Sequence, residues 1–176
     1  MSLNNSLKTS RRNFLNTSLI GGYGLFNTNF SGFNDNLKTI KPAALKKGDT
    51  IGLVCPAYSA FIKEEVTIAV ESLQTMGFKV LLGKHIFDRY GNLAGKDEDR
   101  AADINEMFAN KSVNAIMAMH GGWGSARILS LLNYETIKNN PKIFIGYSDI
   151  TSLLLGIYSQ TGLVTFHGPV GSSTWN

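Results

Sequence analysis

The chain has 176 residues, of which 43% are hydrophobic; this is enough for one globular domain with its own core and excludes a disordered protein. Its formal charge of +4 arises in residues 1–47, which hold seven Lys or Arg and one Asp, whereas the remainder holds ten basic and twelve acidic residues. The globular part is therefore slightly acidic and lacks interleaved aromatic and basic residues, so a nucleic-acid partner is not expected.

Residues 1–40 resemble a twin-arginine export signal followed by a linker. Arg11 and Arg12 precede a glycine-containing apolar stretch, residues 17–26, which is too short to span a bilayer as a stable helix. The alternative is a disordered tail that happens to contain two arginines, since no small-x-small cleavage site is obvious between Asn27 and Ile40. We expect an exported protein of the periplasm or cell envelope, or a cytoplasmic protein under the alternative.

Short apolar runs alternate with helical patterns from Lys41 onward, which predicts an α/β domain over residues 41–176. The predicted architecture is an open, mostly parallel sheet with flanking helices. Its five strands are predicted at Thr50 to Val54, Phe78 to Leu82, Ala115 to Met119, Ile143 to Tyr147, and Leu163 to Phe166. Cys55, the only cysteine, is expected to be a buried structural thiol. No Cys/His cluster has the spacing of a zinc site, so no metal or cofactor is expected.

Four helices are predicted between these strands, at Ile62 to Met76, Asp97 to Ala109, Ser125 to Leu132, and Asp149 to Gln160. The first places apolar residues at three- and four-residue spacings on one face. The second begins with three acidic residues, which suit the positive end of a helix, and its charged face is expected to contact solvent. Glu64 and Glu65 open the first helix in the same way and are assigned no catalytic role.

The loop His120-Gly-Gly-Trp-Gly124 directly follows the third predicted strand. Three glycines in four positions allow the backbone to approach a ligand and present free N–H groups. A phosphate-binding loop is disfavoured, because the loop lacks the Lys-Ser/Thr of a nucleoside triphosphate site and does not fit the dinucleotide fingerprint. The remaining alternative is a tight turn that simply requires glycine.

The segment from Lys142 to Thr151 carries an apolar strand that ends at Gly146 and delivers Ser148 to the start of a helix. Such a turn exposes a serine hydroxyl and directs backbone N–H groups at the space in front of it, as a serine nucleophile requires. The alternative is that Ser148 or Asp149 only caps the helix. Ligands of open α/β sheets bind beyond the carboxyl ends of the strands, where this turn and the glycine loop would lie together.

In their order and spacing, these motifs resemble the N-terminal domain of the LD-carboxypeptidases, serine peptidases that trim the stem peptides of cell-wall muropeptides. The matching segments are Lys41 to Pro56, Gly95 to Ile104, Met119 to Gly124, Gly146 to Thr151, and Thr165 to Pro169. The resemblance implies a carboxypeptidase that releases terminal D-alanine from muropeptide tetrapeptides. It also implies a homodimer.

By the same resemblance, Ser148 is the nucleophile. The backbone N–H of Asp149 and one from the Gly121-Gly122 turn, assigned to Gly122, would form the oxyanion hole. The base histidine and its orienting glutamate belong, in the family, to a second, C-terminal domain that is absent from this chain. The chain is therefore expected to be inactive alone.

Gly121, Trp123, His120 and His167 are predicted to bind substrate. The alternative for each histidine is a turn residue satisfied by backbone, since nothing in the sequence supplies an orienting carboxylate. An arginine is frequent in the family at the position of His120, and His85 is expected at the surface. Two other functions stay open: a non-catalytic module that binds a peptide or muropeptide carboxylate, and a related branch that cleaves acylated amino-acid nucleotides as microcin self-immunity.

Overall fold

The computed structural model describes residues 37–173. Its five strands form one sheet in which every neighbouring pair is parallel, in the order β2-β1-β3-β4-β5. The strands are β1 Thr50–Val54, β2 Lys79–Leu82, β3 Ala115–Ala118, β4 Ile143–Gly146 and β5 Phe166–His167. The predicted open, parallel α/β architecture is confirmed. Residues 1–36, which hold the paired arginines of the predicted export signal, lie outside the described part.

The inner strands β1 and β3 are buried on both faces. All residues of β3 are buried, and in β1 all but the first. The register pairs Val54 of β1 with Ala118 of β3, so the two strands end at the same level. The loops that follow them therefore leave the sheet side by side.

The position predicted for the last strand was wrong. It was expected at Leu163 to Phe166, but β5 is Phe166–His167 and pairs with β4. Leu163 instead forms an isolated parallel bridge with Ile40 and is fully buried. The apolar residue that suggested a strand start thus packs in the core and pairs with the segment that precedes β1.

Four helices and two 3₁₀ segments connect the strands. The helices are α1 Lys63–Thr75, α2 Asp97–Ala109, α3 Tyr134–Asn139 and α4 Thr151–Thr161, and the 3₁₀ segments are Ser125–Leu131 and Ser148–Ile150. Helix α3 was not predicted; Asn133 starts it, because its side chain accepts the N–H of Thr136 at 2.9 Å. Within residues 37–173, none of the helices has the length and apolar character needed to cross a bilayer.

The sheet separates two apolar clusters, because successive side chains of a strand point to opposite faces. Leu53 lies in the cluster that α1 covers with residues such as Val66, and Val54 lies in the other, which α2, α3 and α4 cover. Each fully buried large aliphatic side chain contributes about 1.5–3 kcal/mol. Cys55 belongs to the first cluster at 3% exposure, and burial raises the pKa of its thiol to about 12. The expectation of a buried thiol is confirmed.

The charged face of α2 is partly buried, and the prediction that it contacts solvent was wrong. Arg100 and Asp103 are only 1% and 3% exposed. The carboxylate of Asp103 accepts the N–H of His85 at 3.1 Å and so fixes the loop after β2, while burial raises the pKa of Asp103. Lys142 donates to the carbonyl oxygen of Met107 at 3.0 Å, near the C-terminus of α2. These buried charged side chains are therefore stabilised by hydrogen bonds to backbone groups.

Candidate active site

The carboxyl ends of β1, β3 and β4 meet at one edge of the sheet, and the loops that follow them form the candidate site. Tyr58 follows β1, Gly121 and Gly122 follow β3, and Ser148 follows β4. The N–H of Tyr58 donates to the carbonyl oxygen of Gly121 at 3.3 Å and joins the first two loops. His167 ends β5 at the same edge. The two turns singled out in the sequence therefore lie together, where open α/β sheets bind ligands.

Ser148 occupies a sharp turn between β4 and the 3₁₀ segment that leads into α4. Its φ of 61° lies in the left-handed region, and it is the only non-glycine residue with a positive φ among residues 37–173. Such a conformation costs on the order of 1–3 kcal/mol and is concentrated at functional sites. No side-chain hydrogen bond caps the 3₁₀ segment or α4. The alternative of a helix cap therefore finds no support, and the side chain of Ser148 is exposed.

Gly121 and Gly122 allow the loop after β3 to pass close to its neighbours. A methyl group at Gly121 would lie 3.0 Å from Cβ and 3.4 Å from Oγ of Ser148, so a side chain there would crowd the serine. Gly122 has a φ of 110°, and a methyl group there would lie 2.4 Å from the ring of Tyr58. The backbone of this loop therefore packs close to Ser148, with no side chain between them.

Comparison with known protein families matches residues 51–168 to the LD-carboxypeptidase N-terminal domain. The chain belongs to the LD-carboxypeptidase family. The family expected from the motifs is thus confirmed, and the match extends from the second residue of β1 to the residue that follows β5.

Individual relatives resemble the chain over the same region. A probable murein peptide carboxypeptidase of Bacillus subtilis is 45% identical over 133 residues, which cover 76% of this chain and 41% of the relative. The solved structure of the microcin C7 self-immunity protein MccF in complex with aspartyl sulfamoyl adenosine is 41% identical with a TM-score of 0.72, covering 74% of this chain and 40% of that one. A muramoyltetrapeptide carboxypeptidase from Oxalobacter formigenes is 27% identical with a TM-score of 0.65, covering 70% and 41%. The chain spans about two fifths of the length of these relatives.

None of the histidines in residues 37–173 of this LD-carboxypeptidase domain is hydrogen-bonded to Ser148. The Nε2 atom of His120 is buried and lies 3.4 Å from a carboxylate oxygen of Glu65 without hydrogen-bond geometry. Burial lowers the pKa of His120, which Glu65 only partly opposes, so the imidazole is neutral at pH 7. His167 is exposed and lies edge-on to Tyr147, with the ring centroids 6.4 Å apart. Glu65, assigned no role from the sequence, therefore faces a histidine of the candidate site.

His85 is partly buried and was expected at the surface. Its Nδ1 lies 2.7 Å from the carboxylate of Asp88, and this hydrogen bond raises the pKa of His85. Asp99 joins them, so that the three side chains offer ligand atoms within 4.8 Å of one another. The carboxylate of Asp99 also accepts the N–H of Lys96 at 3.1 Å, at the start of α2. These hydrogen bonds give the cluster a structural role in the loop between β2 and α2.

Arg100 and Ser125 contact the end of the glycine loop, and neither was recognised from the sequence. Arg100 donates to the carbonyl oxygen of Gly124 at 3.1 Å from within the core, and Ser125 is fully buried directly after that glycine. The sequence did contain one signal for Arg100. It lies three positions after Asp97 in a segment that resembles the family, a spacing at which the two side chains pair on one face of a helix. Ser125 carried no such signal, because its partners, Asp149 and Ser152, follow β4 and are distant in sequence.

Proposed function

We propose that this domain carries the nucleophile of a serine LD-carboxypeptidase that releases terminal D-alanine from muropeptide tetrapeptides. The observation that carries the proposal is Ser148, exposed in a left-handed turn at the carboxyl end of β4 and close to Gly121. This is the geometry of a serine nucleophile on a strand-to-helix turn. Two of the relatives are named a murein peptide and a muramoyltetrapeptide carboxypeptidase, which supports the substrate class.

In the proposed reaction, Oγ of Ser148 gives its proton to a general base and attacks the carbonyl carbon of the scissile bond, and negative charge develops on the carbonyl oxygen. The bond to the terminal D-alanine then breaks as its amine takes up that proton, and water releases the acyl group from Ser148. We assign the backbone N–H groups of Asp149 and Gly122 to the developing charge. Asp149 lies in the first turn of a 3₁₀ segment, where N–H groups lack partners within the helix. Loss of one such donor raises the barrier by about 3 kcal/mol.

The general base is assigned to a second domain. The described histidines contact Asp88, Glu65 and Tyr147 rather than Ser148. The chain spans about two fifths of the length of its relatives, which leaves room in a longer protein for the base and its orienting carboxylate. Without them, only the catalysis due to the oxyanion donors and to binding would remain, so we expect hydrolysis to be about a millionfold slower.

Residues around the glycine loop are proposed to bind the substrate, namely Gly121, Trp123, His120 and His167. Trp123 is 46% exposed on the loop and offers a large apolar face. His120 is neutral at pH 7, so it would contribute a hydrogen bond and no positive charge to a substrate carboxylate. The family resemblance also suggests that the complete protein is a homodimer.

A second candidate function is the cleavage of acylated amino-acid nucleotides. The relative MccF is named a microcin self-immunity protein, and its solved structure contains aspartyl sulfamoyl adenosine. Ser148 would be the nucleophile in that reaction too. We favour the muropeptide because we also propose that residues 1–40 direct export, which would place the protein near the cell wall.

Release of D-alanine from a muropeptide tetrapeptide tests the proposal. The chain would be assayed alone and in a form extended by the coding sequence that follows it, each beside its Ser148→Ala variant. We expect the extended form to be active and Ser148→Ala to lose at least about 10⁴-fold in kcat while its circular dichroism spectrum stays unchanged. Normal turnover by the variant would remove Ser148 from the mechanism. Hydrolysis of an aspartyl nucleotide but not of the muropeptide would favour the second candidate function. Binding of the muropeptide without turnover would favour a non-catalytic binding module.

A further inference from the structure

The peptide group between Gly124 and Ser125 is held on both sides by charged side chains. Its carbonyl oxygen accepts a hydrogen bond from Nη1 of Arg100 at 3.1 Å, and its N–H donates to Oδ2 of Asp149 at 2.8 Å. Gly124 ends the glycine loop, and Asp149 directly follows Ser148 in the chain. One peptide group, called the 124–125 peptide below, therefore joins the loop after β3 to the turn after β4.

Arg100 reaches the 124–125 peptide from α2 through the protein interior. It is 1% exposed, and its Nη1 also donates to the carbonyl oxygen of Pro56, which follows β1, at 2.5 Å. Its Nη2 pairs with Asp97, and Asp97 in turn accepts from Arg127 at 2.9 Å. Burial alone would raise the pKa of Asp97, but hydrogen bonds from Arg127 and Arg100 hold it below its usual value. The buried guanidinium is thus paired with a carboxylate and contacts two loops of the site.

Asp149 is held at its carbonyl oxygen as well as at its side chain. The Oγ atom of Ser125 lies 2.7 Å from this carbonyl oxygen and 2.7 Å from Oγ of Ser152. Ser152 in turn donates to the carbonyl oxygen of Asp149 at 2.9 Å. Because Ser125 is fully buried, these hydrogen bonds are shielded from competing solvent. The residue that supplies one proposed oxyanion donor is therefore fixed at two points to the end of the glycine loop.

We propose that Arg100 and the carboxylate of Asp149 are positioning residues that set the geometry of the oxyanion hole. This role rests on the proposed function of Ser148. The two donors come from different loops, Gly122 after β3 and Asp149 after β4, and both must point at one oxygen atom. The 124–125 peptide is bound by both positioning residues and so fixes the separation of the loops. A displacement of about 1 Å in such a site can cost about 100-fold in rate.

Variants of Asp149 distinguish the contribution of its side chain from that of its backbone N–H. Asp149→Ala removes the acceptor for Ser125 and keeps the N–H, whereas Asp149→Asn keeps an acceptor oxygen at the same position. In the extended, active form we expect Asp149→Ala to lower kcat by about 10- to 100-fold with KM within about twofold, and Asp149→Asn to stay within about threefold of wild type. Wild-type kcat in Asp149→Ala, or a loss confined to KM, would overturn the proposal. If Asp149→Ala does not fold, Asp149→Ser, whose hydroxyl is too short to reach, replaces it.

A double-mutant cycle tests whether Arg100 and Asp149 act through the same peptide group. Arg100→Lys keeps the charge but cannot reproduce the contacts of the guanidinium with three partners. If both side chains hold the 124–125 peptide, the combined loss in kcat should be clearly smaller than the product of the two single losses. A fully multiplicative loss would contradict a shared peptide group. Glu98→Ala, an exposed carboxylate of the same turn of α2, is the matched control and should leave kcat unchanged.

Amide hydrogen exchange tests the same contacts without any turnover, in the 176-residue chain alone. We expect Asp149→Ala to accelerate exchange at Ser125 by about tenfold or more, while the amides of β3 exchange as in the wild type. Unchanged exchange at Ser125 would refute the positioning role. Faster exchange together with an extended wild-type form that hydrolyses no substrate would uphold the contacts and refute the proposed function, so the two failures are distinguishable.

Discussion

Ser148 is held in a backbone conformation that its own Cβ atom disfavours, with a φ of 61°. Glycine adopts this conformation without that penalty, so we expect Ser148→Gly to have a free energy of unfolding about 1 kcal/mol higher than that of Ser148→Ala. Urea denaturation of the two variants at pH 7 measures the difference. Both lack the hydroxyl, so the comparison isolates the backbone. Equal stabilities would mean that the turn carries no strain at this position.

Gly122 lies against the ring of Tyr58 with a φ of 110°. Gly122→Ala would bring a methyl group within 2.4 Å of that ring and impose a left-handed backbone on alanine. We expect the free energy of unfolding to fall by about 1–3 kcal/mol and kcat of the extended form to fall by about 100-fold, because the N–H of Gly122 shifts. Urea denaturation and steady-state kinetics measure the two effects.

The double variant Gly122→Ala, Tyr58→Ala is the control for steric contact. It removes the ring but leaves the left-handed backbone, so Gly122→Ala should cost less stability in the Tyr58→Ala background than in the wild type. Wild-type kinetics in Gly122→Ala would exclude the N–H of Gly122 from the oxyanion hole.

At the level of elements, α2 shows which features the sequence could predict. Its bounds, Asp97–Ala109, are those expected from an acidic first turn and an apolar face, because both signals are local. The burial of Arg100 and Asp103 could not be predicted in this way. Their partners, the carbonyl oxygens of Pro56 and Gly124 and the N–H of His85, come from loops distant in sequence.

In the candidate site, too, the local features could be predicted from the sequence and the tertiary contacts could not. The turn at Ser148 and the glycine loop were predicted because each follows an apolar strand directly, and parallel strands bring their carboxyl ends to one edge. The contacts between the two loops, through Ser125 and Asp149, depend on tertiary structure and left no pattern in the sequence. The 3₁₀ conformation of Ser125–Leu131, where a regular helix was expected, is part of that same region.

Lys142 joins the end of α2 to the start of β4. Its ammonium group donates to the carbonyl oxygens of Met107 and Asn110. Burial, and to a lesser degree the charge of Lys111, lower the pKa of Lys142 to about 8. An unfolded lysine titrates near pH 10.4, so between about pH 8 and 10 the unfolded chain binds more protons than the folded one. The free energy of unfolding should therefore rise with pH across this window.

Lys142→Met should flatten that rise, because methionine has a similar length and no titrating group. Urea denaturation at several pH values from about 7 to 10 compares the two slopes. Lys138→Met, which removes an exposed lysine nearby in the sequence, is the matched control and should keep the wild-type slope. A slope that is the same with and without Lys142 would contradict the lowered pKa.

For the whole molecule, we propose that export depends on the paired arginines Arg11 and Arg12, which precede the described residues. We expect the double variant Arg11→Lys, Arg12→Lys to stay in the cytoplasm, because the twin-arginine pathway reads the arginine pair itself. Cell fractionation with compartment markers, compared with the unchanged chain, measures the outcome. A double variant that is still exported would count against the proposed signal, and a cytoplasmic wild type would remove the main reason to prefer a muropeptide over a nucleotide substrate.

Cys55 makes the molecule convenient for site-specific labelling. It is the only cysteine in the chain, it is 3% exposed, and burial raises the pKa of its thiol to about 12, which disfavours the reactive thiolate at pH 7. A Trp123→Cys variant would therefore react with a maleimide dye at the glycine loop alone, without prior removal of the native thiol. The wild-type protein would serve as the unlabelled background, and a fluorophore at this position would report directly on ligands that reach the loop.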